Sequence, residues 1–147
     1  MKLSRKGVLD WPWLAWNSFI ELIGDGRRDL TETQWHAHYC LRYDGEVQNG
    51  GHFQFFENNG LDYANLVLDS FSSLGFAHQE FLLGNAIEVA APMEWGTIKS
   101  VEEFVRQSLD GTFNEFDEKY YALSPSTLDL LQVHLDKSMH EYFEFVD

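Results

Sequence analysis

Apolar residues recur along this chain at three- and four-residue steps, the spacing that aligns side chains on one face of a helix. Trp13, Trp16, Ile20 and Ile23 form the first stripe, with Pro12 suited to the opening turn and Gly24 and Gly26 to the end. Thr31-Glu32-Thr33-Gln34 reads as a capping box, and Trp35, Tyr39, Tyr43 and Val47 follow at four-residue steps. Asn49-Gly50-Gly51 breaks that helix. His52 to Glu57 then predicts a short aromatic helix, closed by Asn58-Asn59-Gly60.

The second half repeats the pattern. Ala64, Val67, Leu68, Phe71 and Leu74 form a stripe ended by Gly75, and Phe81, Leu82, Ala86 and Val89 form another up to Pro92. Ser100 to Glu103 reads as a second capping box ahead of Val101, Phe104, Val105 and Leu109, with Gly111 as the stop. Phe113, Phe116, Tyr120 and Leu123 follow. Pro125-Ser126-Thr127 opens a long last helix whose expected core face is Leu128, Leu131, Leu135, Met139, Tyr142 and Val146. No useful length alternates with period 2, and no repeat or Ser/Pro-rich linker divides the chain. The expectation is an all-α, single compact domain of about seven to eight helices over 1–147. Residues 1–29 form its Trp-rich opening helix, and 30–147 its acidic body.

Composition changes the picture through charge. The chain has 147 residues, of which 44% are hydrophobic and 16% aromatic, too apolar for a disordered acidic tail. Against 10 Lys and Arg stand 24 Asp and Glu, for a net charge of −14. Residues 1–42 carry six bases and five acids, 43–98 carry eight acids and no Lys or Arg, and 99–147 carry eleven acids and four bases. Such a chain repels nucleic acid and anionic membrane, so the expected partner is a basic protein, without direct nucleic-acid or membrane binding. The lone Cys40 excludes an internal disulfide framework. The basic start is not followed by an apolar signal core, and no run reaches membrane-span length, so the expected location is cytoplasmic.

Candidate chemistry is thin. His36 and Cys40 share a helical face with a chelating spacing, as do Asp136, His140 and Glu144, but packing or a solvated face is the better reading of both. There is no Gly-x-Ser-x-Gly, and Asn49-Gly50-Gly51 lacks the Gly-Lys-Ser/Thr ending of a phosphate loop. The expectation is a protein that is not an enzyme, with no cofactor and no metal. Regular spacing is more informative: Asp62 and Asp69, Glu103 and Asp110, and Asp129 and Asp136 are each seven residues apart. Seven helical residues rise about 10.5 Å, so each pair is expected to point one way. Rows of carboxylates can imitate phosphates, which advance about 3.4 Å per strand in duplex DNA, but on geometry alone the solvent face of an ordinary amphipathic helix is the better reading.

The stretch from Glu46 through Asn49-Gly50-Gly51, His52, Phe53, Gln54, Phe55 and Phe56 to Glu57, Asn58, Asn59 and Gly60 is distinctive. It resembles the signature of a family of small bacterial helical proteins filed as domain of unknown function 4375. One described member of that family is a dimeric, acidic DNA mimic that occupies the DNA-binding surface of a transcription repressor. The motif residues Glu46, Asn49, Gly50, Gly51, Gln54, Phe55, Phe56, Asn58 and Gly60 read as structural. Asn49 would cap the short helix, the glycines would let two helices meet, and Gln54 and Asn58 would satisfy backbone groups.

Charge and resemblance together imply a DNA mimic whose partner-binding residues are Glu57, Asp62, Asp69, Glu80, Glu88, Glu94, Glu102, Glu103 and Asp110. The alternatives are an immunity or antitoxin-like module blocking a basic nuclease, and a small metal-dependent enzyme. Trp11, Trp13 and Trp16 in the near-neutral opening segment make it the expected homodimer contact.

Overall fold

The computed structural model describes residues 1–25 and 29–147. The expected stop at Gly26 and the basic pair Arg27-Arg28 lie outside the described residues. The order is β1 (Lys2–Ser4), α1 (Arg5–Asp10), α2 (Trp13–Gly24), α3 (Glu32–Leu74), α4 (Ala77–Ala90), α5 (Val101–Ser108), α6 (Asn114–Tyr121), α7 (Thr127–Ser138), a 3₁₀ turn (Met139–Glu141) and β2 (Glu144–Val146). The class is all-α, with one two-stranded clasp.

The central element is α3. Its start is the expected capping box: Gln34 N–H donates to Thr31 Oγ1 at 3.3 Å, and Thr31 N–H to Gln34 Oε1 at 3.2 Å. The element bends at Gly51 (φ 75°, ψ −177°) and Gly60 (φ 78°, ψ 175°). These values lie in a region open essentially to glycine alone, which is why the two glycine signals mark the breaks. Three rods result, 32–50, 52–59 and 61–74. They fold around a core in which Tyr43, Phe55, Phe56 and Phe71 are fully buried. Helices α2, α4, α6 and α7 pack on them.

Three expected stripes are corrected. On α2 the buried residues are Ala15, Ser18, Phe19, Leu22 and Ile23, while Trp13 is exposed. Phe19 meets the Tyr142 ring edge-on at 4.8 Å, and that packing turns the helix away from the Trp13–Trp16 line. On α4 the core face is Leu82, Leu83, Ala86 and Ala90, leaving Phe81 exposed. Helix α5 buries nothing fully; Val101 and Leu109 are 80% and 79% exposed, and Phe104 alone reaches inward, to Phe53 at 5.2 Å. Its Ser100 cap is half a box, because Glu103 N–H donates to Ser100 Oγ while the Glu103 carboxylate accepts from Gln107.

The last helix is also shorter than its pattern. It begins with a reciprocal Ser126–Asp129 capping box and stops at Ser138. Beyond it, Glu144–Val146 pairs in parallel with Lys2–Ser4, in the register Leu3↔Phe145. Val146 is therefore on an exposed strand, and Leu128 is exposed too. Three-residue strands are too short to show period 2. Helix α1 was likewise missed: it is one short turn-and-a-half, capped by Ser4 Oγ accepting from Gly7 N–H. Among the described residues no helix is long and apolar enough to cross a membrane.

Candidate functional site

The signature residues build the first bend of α3. Gln54 and Asn58 face Glu46 across the bend, and their side-chain amides donate to Glu46 Oε2 at 3.0 and 3.2 Å. Asn49 donates to Gln54 Oε1 at 3.4 Å instead of capping a helix. This corrects the expectation that Gln54 and Asn58 serve backbone groups. Gln54 reaches the Glu46 carbonyl only at 3.5 Å, and it is Asn59 that bonds a backbone oxygen, that of Phe55. A Cβ at Gly50 would displace the Gln54 amide from its present position. An open groove of about 530 Å³ runs along this face, lined by Arg42, Glu46, Asn49, Gln54 and Asn58 among others.

Behind the bend lies a buried polar chain. Asp117, from α6, places Oδ1 where it accepts from the His52 N–H at 2.8 Å and pairs with His52 Nδ1 at 2.6 Å. His52 is fully buried, and its Nε2 meets the Tyr43 hydroxyl at 2.6 Å. Burial first, then the charges of Asp117 and Asp44, hold the Tyr43 phenol well above its ordinary pKa. The phenol therefore stays protonated, and the His52 ring bridges it to the Asp117 carboxylate. Beside this chain, Tyr120 donates to Asp44 at 2.6 Å and meets Thr127 Oγ1 at 2.7 Å. Its phenol is also pushed far up, by burial first and then by Tyr43 and Asp44. Gly51 belongs to this device: a Cβ there would stand 2.5 Å from Asp117 Oδ2.

The candidate metal spacings do not assemble. Cys40 is fully buried, and burial pushes its thiol far up, while the His36 ring turns to Ser70 Oγ at 2.9 Å. Asp136, His140 and Glu144 share no helical face, because α7 ends at Ser138. Among the described residues no group of three or more His, Cys, Asp or Glu is placed to hold a metal ion.

Of the nine acids expected to meet a partner, Asp62, Asp69, Glu88, Glu94, Glu102 and Asp110 are exposed; Glu57, Glu80 and Glu103 are half-buried. Asp62 and Asp69 lie on the third rod of α3, Glu80 and Glu88 on α4, which packs against α3. Glu57 is engaged internally. Its two oxygens accept from the backbone N–H groups of Gly96 and Ile98 at 3.0 and 3.1 Å, fastening the 91–100 loop that carries Glu94. The Glu103–Asp110 spacing spans a helix end at Ser108, so these two do not continue one row, whereas Asp129 and Asp136 both lie on α7. Trp11 and Trp13 are 59% and 57% exposed beside Leu9 at 81%, and Trp16 is half-buried.

Sequence reasoning missed Tyr43, His52 and Asp117 as a unit. Tyr43 was read as one more core aromatic and Asp117 as one of many acids. Only His52, set directly after two glycines, carried a local hint that the backbone there approaches something closely.

A family model described as DMP19-like protein matches residues 28–138, from just before α3 to the end of α7. No curated protein and no solved structure matches the chain. The matched span holds the Glu46–Gly60 signature, the bend it builds and the Tyr43–His52–Asp117 chain behind it; this protein belongs to the DMP19-like protein family.

Proposed function

We propose that this protein is a non-enzymatic acidic binding protein that acts as a DNA mimic, occupying the nucleic-acid-binding surface of a basic transcription regulator or similar protein. The supporting observation is the placement of the cation-free stretch. Residues 43–98 contain no Lys or Arg, and they supply the third rod of α3 and all of α4, two packed helices carrying Asp62, Asp69, Glu80 and Glu88. Neither helix carries a Lys or Arg, so their own carboxylates offer negative charge to groups shaped for phosphate. The signature's likeness to domain of unknown function 4375 points the same way. The same electrostatics would suit a basic nuclease blocked by an immunity module, and co-expression with a toxic neighbour separates the two. Cytoplasmic residence and a homodimer through the Trp11–Trp13 segment complete the proposal.

The test is affinity capture from lysate at low salt, then gel-shift competition between this protein and DNA for the captured partner. Capture of a nucleic-acid-binding protein and displacement of its DNA are expected. A combined Asp62→Asn, Asp69→Asn, Glu80→Gln, Glu88→Gln variant should compete about fourfold or more weakly, from four surface pairs at roughly 0.2–1 kcal/mol each. Retention of no nucleic-acid-binding protein, or unchanged competition by that variant, overturns the proposal.

A further inference from the structure

Between the first bend of α3 and the 107–117 segment lies a small, largely enclosed cavity of about 130 Å³. Drug-sized ligands occupy about 300–1,000 Å³, so this space suits a single side-chain head. Its walls include the aromatic rings of Phe53 and Phe113, and its charged groups are the carboxylates of Asp110 and Asp117. Gln107 and Asn114 add neutral polar groups, and no Lys, Arg or His is among the described residues lining it.

The two carboxylates differ. Asp117 is fixed, since Oδ1 accepts both His52 donors, and among the described residues no donor reaches its Oδ2. Asp110 stands at the exposed end, just past the last turn of α5. A cavity with aromatic faces and carboxylates and without a cation discriminates strongly by charge. Anions are repelled. A neutral apolar group gains the rings but offers no charge to Asp110 and Asp117. An alkylammonium or guanidinium satisfies both features, through charge-assisted hydrogen bonds and cation–π contact.

We propose that this cavity is the anchor pocket for one basic side chain, Arg or Lys, of a protein partner. The inference rests on the binding reading above and names the chemistry that one point of that surface takes. The probes are Nα-acetyl-arginine methylamide and Nα-acetyl-lysine methylamide, with the uncharged Nα-acetyl-norleucine methylamide as control, titrated into the full chain and followed by backbone amide NMR. Saturating shifts at Gly50, Gly111, Thr112 and Asn114 are expected for at least one cationic probe and not for the norleucine probe. Asp110→Asn should weaken binding about tenfold, the scale of one charge-assisted hydrogen bond. Glu115→Gln, outside the cavity on α6, should leave it within about twofold. Equal shifts from the norleucine probe, no saturation with either cationic probe, or equal loss in both variants overturns the pocket. DNA competition that survives while both cationic probes fail removes the pocket and leaves the binding reading standing. Probe binding with no nucleic-acid-binding partner captured does the reverse.

Discussion

Gly51 and Gly60 form a matched pair that separates backbone strain from a side-chain collision. Both hold nearly the same conformation, with φ of 75° and 78° and ψ within a few degrees of 180°. A non-glycine residue there costs of order 1–3 kcal/mol. The gain from restricting the unfolded chain, about 0.4–1 kcal/mol for Gly→Ala, applies to both positions and cancels in the comparison. The surroundings differ. A Cβ at Gly60 meets nothing within 4 Å, whereas at Gly51 it stands 2.5 Å from Asp117 Oδ2 and 2.9 Å from Cγ. Asp117 must therefore shift, and its Oδ1 is the acceptor for both the backbone and the ring donor of buried His52. Hydrogen bonds to charged groups contribute about 1.5–3 kcal/mol each, so disturbing two adds roughly 3 kcal/mol or more. Gly60→Ala should then cost about 1–3 kcal/mol and Gly51→Ala about 4–6 kcal/mol, a large share of the roughly 5–15 kcal/mol of a typical domain. Urea unfolding followed by tryptophan fluorescence and far-ultraviolet circular dichroism reads the difference. With a slope of about 1–3 kcal/mol per molar urea, the two midpoints should lie about 1 M or more apart. Adding Asp117→Ala to Gly51→Ala should cost less than the sum of the single changes, since the collision is then gone. Gly51→Ala and Gly60→Ala variants equal within about 0.5 kcal/mol would refute the assigned role of Asp117, because only the shared backbone cost would remain.

Other consequences are simpler to state. Tyr43→Phe leaves His52 Nε2 buried without its partner and should cost about 1–3 kcal/mol in the same assay; an unchanged midpoint contradicts the Tyr43–His52 hydrogen bond. Burial, the largest cause at each, holds the phenols of Tyr43, Tyr120 and Tyr142 above their ordinary value of 10.0. The folded state keeps these protons longer than the unfolded chain, so their contribution is complete below pH 10.0 and is lost as pH rises past it. Tyrosinate absorbance from these residues should rise together with loss of helical signal, and their ionisation within a still-folded protein would count against the buried network. Glu57→Gln removes the charged acceptor of two loop amides and should speed hydrogen exchange at Gly96 and Ile98 selectively; uniform exchange would argue against the fastening. Trp11→Ser with Trp13→Ser should convert a dimer to monomers on a sizing column, and an unchanged elution volume would remove that segment as the contact.

How far the sequence could be read depended on whether the deciding interaction was local. The Thr31–Gln34 box, the stop at Gly75 and the two breaks in α3 were all legible, because each is fixed by residues within a few positions. Which side of a helix faces inward was less legible. The Trp13, Phe81 and Val101 lines have helical spacing, yet partners from elsewhere in the chain chose a different face, as Tyr142 does for Phe19. The clasp of β1 and β2 joins the two ends of the described chain, so no local pattern announces it. The same holds at the site. Asp117 lies 65 residues from His52, and nothing near either position reveals the pairing.

The signature and the charge, read separately from sequence, are physically connected. A buried or half-buried carboxylate needs donors. In most proteins Lys and Arg supply many of them, but residues 43–98 contain neither. Here neutral groups supply them: Gln54 and Asn58 on Glu46, Tyr120 on Asp44, and two backbone amides on Glu57. A neutral donor satisfies a carboxylate without cancelling its charge, whereas a salt bridge removes one negative unit from the field for each acid it holds. The amide-, glycine- and aromatic-rich signature is therefore the composition that lets an acidic chain secure its internal carboxylates and remain strongly negative. Substituting Lys or Arg for Gln54 or Asn58 would add a positive charge within the 43–98 stretch, where the amides hold Glu46 without one.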